Sequence, residues 1–98
     1  MTYYVYMLTN RSRVVLYIGV TNTLEGRLWW HHNTEKNSFV KKYKLDRLVY
    51  YEVYHDIRDA IAREKQLKHW QRAKKNDLVR GLNPKWEDLG KRMFGASR

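Results

Sequence analysis

Arg27 and His31 stand four residues apart, just past a β-rich run that closes in Tyr17-Ile18-Gly19. On a helix that spacing puts both on one side, flanking Leu24 and Leu28. Farther along, Glu64 falls among Ile57, Ala60, Ile61 and Leu67. At 100° per residue Glu64 lies about 20° from Ile57, and Lys68 shares that side. A carboxylate on an apolar face is costly unless it is compensated. The Lys68 ammonium one turn on, a buried tyrosine or arginine, or a bound metal ion would each compensate it. In the strands, Tyr4, Tyr6 and Leu8 share one face, and Tyr17 shares a face with Gly19. Tyr6 and Tyr17 therefore fall side by side, next to a gap at the glycine. Each of these residues also has a plain structural use, as a helix-edge cation, a satisfied histidine or a cross-strand aromatic pair. Taken together, two phenols, an arginine, a histidine and a carboxylate make the set that phosphodiester hydrolysis needs. A metal neutralises the developing charge, a guanidinium holds the phosphate, and a base or water-positioning group readies the nucleophile.

These residues need a scaffold, and 98 residues suffice for one domain. Residues 2–8, 14–20 and 48–54 read as strands. Helices are expected from Leu24 to about Asn33, from Ile57 to about Trp70, and from Arg72 to about Arg80. Residues 34–47 read as a basic loop. The expected fold is α+β, a small three-stranded antiparallel sheet flanked by helices in the order β-β-α-β-α-α. Residues 1–89 would form the domain and residues 90–98 a flexible tail. The chain has no cysteine and no secretory pattern at its start, and no apolar run is long enough to span a membrane. A cytoplasmic protein with no membrane partner is expected. Twenty Lys and Arg against ten acids leave a net charge of +10, so polyanions are the expected partners.

The two strands resemble the paired tripeptides of the GIY-YIG nuclease superfamily. Tyr4-Val5-Tyr6 stands for the first and an intact Tyr17-Ile18-Gly19 for the second. Arg27, His31 and Glu64 follow in the family's order, and the pattern spans about residues 3 to 84. The likeness is closest to small single-domain bacterial members, whose usual ending resembles residues 63–75 and 82–89. Tyr4 replaces the glycine of the family name and Val5 the isoleucine, and the extra ring would narrow the groove. The resemblance implies a divalent-metal-dependent endonuclease. Tyr6 would be general base or water-positioner, with Tyr17 as its partner. Arg27 would be the phosphate clamp, His31 an auxiliary proton carrier, and Glu64 the ligand of Mg²⁺ or Mn²⁺. Asn83 resembles a polar residue at the active-site rim of some members.

DNA is the expected substrate, with RNA the second candidate. Residues 58–80 hold eight Lys or Arg and three acids, a net of +5. Lys68, Arg72, Lys74 and Lys75 on that segment, Lys41 and Lys42 before the third strand, and Asn83 are the expected nucleic-acid contacts. Trp70 among these charges reads mainly as a core anchor. No base-reading helix is evident, so selectivity would be weak or structure-based. A repair or recombination complex is the expected protein partner. The rival reading is a non-catalytic nucleic-acid-binding protein on the same fold.

Overall fold

A computed structural model of the chain describes residues 1–33 and 42–95, with side chains at 1–29 and 42–95. The elements run β1 (Tyr3–Thr9), β2 (Leu16–Thr21), α1 (Leu24–Asn33), β3 (Arg47–Tyr54), α2 (Ile57–His69), α3 (Arg72–Leu82) and α4 (Leu89–Phe94). The strands form one antiparallel sheet in the order β2-β1-β3. This is the expected α+β architecture with one more short helix at its end.

β1 lies in the centre of the sheet and is buried from Val5 to Thr9. Its side chains alternate between two cores, as a pleated strand requires. Val5 and Met7 pack with Ile18, Ala60, Leu67 and Val79 under α2 and α3. Tyr6 and Leu8 pack with Leu24, Leu28, Leu45 and Leu89 under α1 and α4. The sheet is thus covered on both faces, and a residue's parity on β1 decides which helices it meets.

Asp56 caps α2 by accepting a hydrogen bond from the Arg58 amide at 2.9 Å. The helix buries Ala60 and Leu67, while Ile57 and Ile61 are each 38% exposed. The expectation that Glu64 sits in the middle of a stripe through Ile57 and Ile61 is therefore corrected. The buried line runs through Ala60 and Leu67, with Arg63 on one flank and Glu64 on the other. An ion pair sets this roll. Arg63 donates to both oxygens of Glu52 on β3, from Nε at 2.9 Å and Nη2 at 3.0 Å. Tyr50 and Tyr54 donate their hydroxyls to the same carboxylate. Burial pushes the Glu52 carboxyl up, but hydrogen bonds from Arg63, Tyr50 and Tyr54 outweigh it and hold it below its ordinary value. With Arg63 held to β3, Glu64 stands about 100° round the helix from it.

β1 and β3 shift register between Met7 and Leu8, leaving Val49 as the extra residue of a bulge. The C-terminal segment satisfies that irregular backbone. Asn83 donates its amide to the Val49 carbonyl at 3.1 Å, and the Leu48 amide donates to the Asp88 carboxylate at 3.3 Å.

The flexible tail expected from residue 90 is corrected as far as residue 94. Asp88 caps α4 by accepting from the amides of Gly90 and Lys91. Leu89 is buried, and Phe94 packs against the core that holds Tyr6. Residues 96–98 lie outside the described residues. Among the described residues no helix is long and apolar enough to cross a membrane.

Candidate active site

Tyr6 pairs with Gly19 across β1 and β2 and is 2% exposed. A Cβ built on Gly19 would stand 2.6 Å from both Cζ and Oη of Tyr6. The phenol therefore lies directly over the glycine. Because β2 is an edge strand, the ring carries the Tyr6 hydroxyl from the centre of the sheet to its rim. Glycine at this position is a requirement of space and not of backbone conformation.

Tyr17 stands two residues before Gly19 and pairs with Leu8, so it is diagonal to Tyr6. The two rings lie 6.4 Å apart with planes at 45°. After β2 the chain turns at Thr21, whose hydroxyl donates to the Thr23 carbonyl and accepts from the Thr23 amide. The Thr23 hydroxyl then accepts from the Gly26 amide and starts α1. Leu24 and Leu28 enter the core, and Arg27 is left half-buried beside them. His31 lies on α1 one turn later, and its side chain is outside the described residues.

Glu64 stands on α2, on the helix flank next to the buried line of Ala60 and Leu67. Its side chain is 19% exposed and pairs with Lys68 at 3.4 Å. The ion pair was one of the three compensations open to this carboxylate, and an exposed pair of this kind contributes little stability. The electrostatics of Tyr6 tie the four residues together. Burial raises its phenol well above the ordinary value, and Tyr17 and Glu64 add to that, while Arg27 opposes them. All three groups thus act on one hydroxyl, which keeps its proton at neutral pH. The protonated phenol can position a water or donate a hydrogen bond, and in this state it is not a base.

The donor set accommodates a divalent cation of one kind. Among the described residues no group of three or more His, Asp or Glu side chains converges. A single carboxylate fits Mg²⁺, which keeps several waters and takes substrate phosphate oxygens instead of an all-protein cage.

Several expected nucleic-acid contacts have other uses. Asn83 is 3% exposed. It donates to the carbonyls of Val49 and Glu87, and its oxygen accepts from the Glu87 amide. Its expected place at a binding rim is corrected, because every polar atom of its amide serves the fold. Asn83→Ala is expected to cost about 1–3 kcal/mol by leaving buried backbone groups unsatisfied. Denaturant unfolding checks this, and DNA affinity should not change beyond the loss of folded protein. Arg72 also serves the fold. Its guanidinium donates to the carbonyls of Val14 at 2.7 Å and Arg13 at 2.6 Å, and to Asn76 at 2.9 Å. Lys68 pairs with Glu64. Lys74 stands 4.0 Å from the centre of the Trp70 ring, and Trp70 packs against the core. Lys42 lies over the Tyr43 ring at 5.4 Å. Lys75 is half-buried on α3, and Lys41 lies outside the described residues.

Glu52 was missed by sequence reasoning. Its signal was the alternation Tyr50-x-Glu52-x-Tyr54, which puts a carboxylate between two phenols on one strand face. Arg11, far from the basic loop in sequence and close to Arg47 in the fold, carried no local signal.

Known proteins agree with this geometry. Residues 2–77 match the family model of the GIY-YIG catalytic domain. The UPF0213 protein CPE1444 of Clostridium perfringens (strain 13 / Type A) is 33% identical over 88 residues, 90% of this chain and 94% of that protein. The solution NMR structure of the UPF0213 protein BH0048 from Bacillus halodurans superposes with a TM-score of 0.58 at 26% identity. That match covers 93% of this chain and 96% of the other. With the paired tyrosines, the arginine and the glutamate in place, and with most of its length matched, the chain belongs to the GIY-YIG family, a nuclease superfamily.

Proposed function

We propose that the protein is a divalent-metal-dependent endonuclease that hydrolyses DNA phosphodiester bonds, nicking or cleaving with structural or weak sequence selectivity in a repair or recombination setting in the cytoplasm. The observation that carries this reading is the Tyr6 phenol lying over Gly19 beside the Tyr17 ring, 6.4 Å away, in a chain that belongs to the GIY-YIG family.

Water attacks phosphorus in line and gives up a proton to His31, one P–O ester bond breaks, and the departing oxygen takes a proton. The protonated Tyr6 and its partner Tyr17 hold the attacking water. Arg27 grips two phosphoryl oxygens as charge builds on them. His31 passes that proton on toward the departing oxygen. Glu64 would hold the Mg²⁺ or Mn²⁺, which when bound supplies positive charge to the phosphoryl oxygens.

Supercoiled plasmid should be nicked in Mg²⁺ or Mn²⁺ and left intact in chelator. Binding without cleavage in either metal would favour the non-catalytic reading. Arg27→Ala is expected to lower the single-turnover rate by about 10²–10³-fold, the usual effect of losing one oxyanion donor. Its affinity should fall much less. An unchanged rate would remove Arg27 from the mechanism.

A further inference from the structure

The helices that look most basic in sequence have spent much of their charge. Arg58 pairs with Asp56, Arg63 with Glu52, Lys68 with Glu64 and Arg80 with Asp77. Arg72 holds two backbone carbonyls and Lys74 covers Trp70. Each would give up a partner on taking a phosphate.

Arg11, Lys44 and Arg47 have no ion pair or side-chain hydrogen bond among the described residues, and they line one cleft of about 530 Å³. The cleft lies between the β1–β2 turn, which adds Ser12, and the segment entering β3, which adds Tyr43. Asp46, exposed, is the one carboxylate among its lining residues.

Both walls are fixed. In the turn, the Asn10 side-chain oxygen accepts from the Val14 amide and the Ser12 hydroxyl. Arg72 ties the carbonyls of Arg13 and Val14 to α3, and Arg13 donates to the Lys85 carbonyl at 3.1 Å. On the other wall Lys44 adopts φ 52°, a left-handed conformation that a lysine keeps only when its surroundings enforce it. The Asp46 amide closes that turn on the Lys44 carbonyl at 2.9 Å. Two restrained backbones thus present to one space three cations that have no partner among the described residues.

The cleft also opens on the catalytic side of the sheet. Tyr43 and Leu45 pack in the core that contains Tyr6, Leu8 and Tyr17. Tyr17 pairs with Leu8 one rung from the turn, so the cleft adjoins the end of the hairpin that carries Tyr17.

We propose that this cleft is a second phosphate site, taking a backbone phosphate of the DNA strand whose scissile phosphate lies at Tyr6, Tyr17 and Arg27. The proposal rests on the nuclease reading of that site. It places the strand across the β1–β2 turn and the entry to β3, away from the outer faces of α2 and α3.

Binding of a fluorescein-labelled DNA duplex is measured by anisotropy in chelator across a KCl series. The proteins are wild type, Arg11→Gln/Lys44→Gln, Arg47→Gln, and the control Lys65→Gln/Arg80→Gln. Arg11 and Lys44 are exposed, so the first variant keeps its fold and decides the matter even where Arg47→Gln is unstable. The slope of log K against log salt should become shallower by about 0.9 for each phosphate that is no longer neutralised, and affinity at low salt should fall by roughly tenfold or more in the double variant. The control removes the same charge from α2 and α3 and should leave the slope near that of wild type. A wild-type slope in Arg11→Gln/Lys44→Gln, or an equal drop in the control, overturns the cleft. Wild-type protein that binds no DNA overturns the nuclease reading with it, whereas wild-type cleavage with an unaltered slope in the variants sinks the cleft alone.

Discussion

Glu64→Ala is expected to lower DNA cleavage by about 10²–10³-fold, the scale on which losing one preorganised charge-stabilising group acts, while duplex DNA is bound as tightly as before or more tightly. The carboxylate sits on the flank of α2 opposite Arg63 and acts on the Tyr6 phenol. Removing it takes away the acidic side chain that this site offers to a divalent cation. It also releases Lys68, whose side chain is 53% exposed, from its ion pair and leaves the surface more positive. That change favours a polyanion. The fold should survive, because the exposed pair contributes at most about 1 kcal/mol and the helix is held by Ala60, Leu67 and the Arg63–Glu52 pair. Single-turnover cleavage beside anisotropy checks both halves of the expectation. Equal loss of cleavage and binding would make Glu64 a structural residue.

Gly19→Ala is expected to lower the proposed cleavage almost as severely. A methyl group there meets Cζ and Oη of Tyr6 at 2.6 Å. Neither atom is the loose end of a flexible chain, so the ring must leave its place over β2. Overpacking at a buried aromatic costs about 1–3 kcal/mol, and a displacement of about 1 Å at a reacting group costs about 10²-fold in rate. Alanine in place of glycine inside a strand would otherwise be stabilising by roughly 0.5–1 kcal/mol, so the sign of the stability change is diagnostic. Gly81 on α3 is the internal control. Nothing lies within 4 Å of a Cβ there, and Gly81→Ala should stabilise the protein by up to about 1 kcal/mol with cleavage unchanged. Full activity in Gly19→Ala would mean that the Tyr6 hydroxyl over the glycine plays no part in the reaction.

What the sequence made legible follows from periodicity. Strand alternation put Tyr6 and Tyr17 on one face beside Gly19, and the expected helix from Leu24 placed Arg27. The roll of α2 was not legible, because the helix's own apolar residues pointed to Ile57 and Ile61. The buried flank was chosen by Glu52 on another element, which holds Arg63. Asn83 and Arg72 looked like surface contacts for a related reason. Their partners, Val49 and Val14, lie 34 and 58 residues away, beyond any local pattern. α4 was hidden because its six residues are too few for helical periodicity to register. The cleft at Arg11, Lys44 and Arg47 depends on segments that meet only when the sheet forms.

The claim at the centre of this account is that Tyr6 and Arg27 act on one phosphate, and a double-mutant cycle tests it most directly. Single-turnover cleavage is measured in Mg²⁺ for wild type, Tyr6→Phe, Arg27→Lys and the variant carrying both. Residues that act as a unit lose their function together. Wild type should cleave, each single variant should be slowed, and the double variant should be little slower than the worse single one. Losses that multiply, or a wild-type protein that cleaves in no metal, would contradict a shared site.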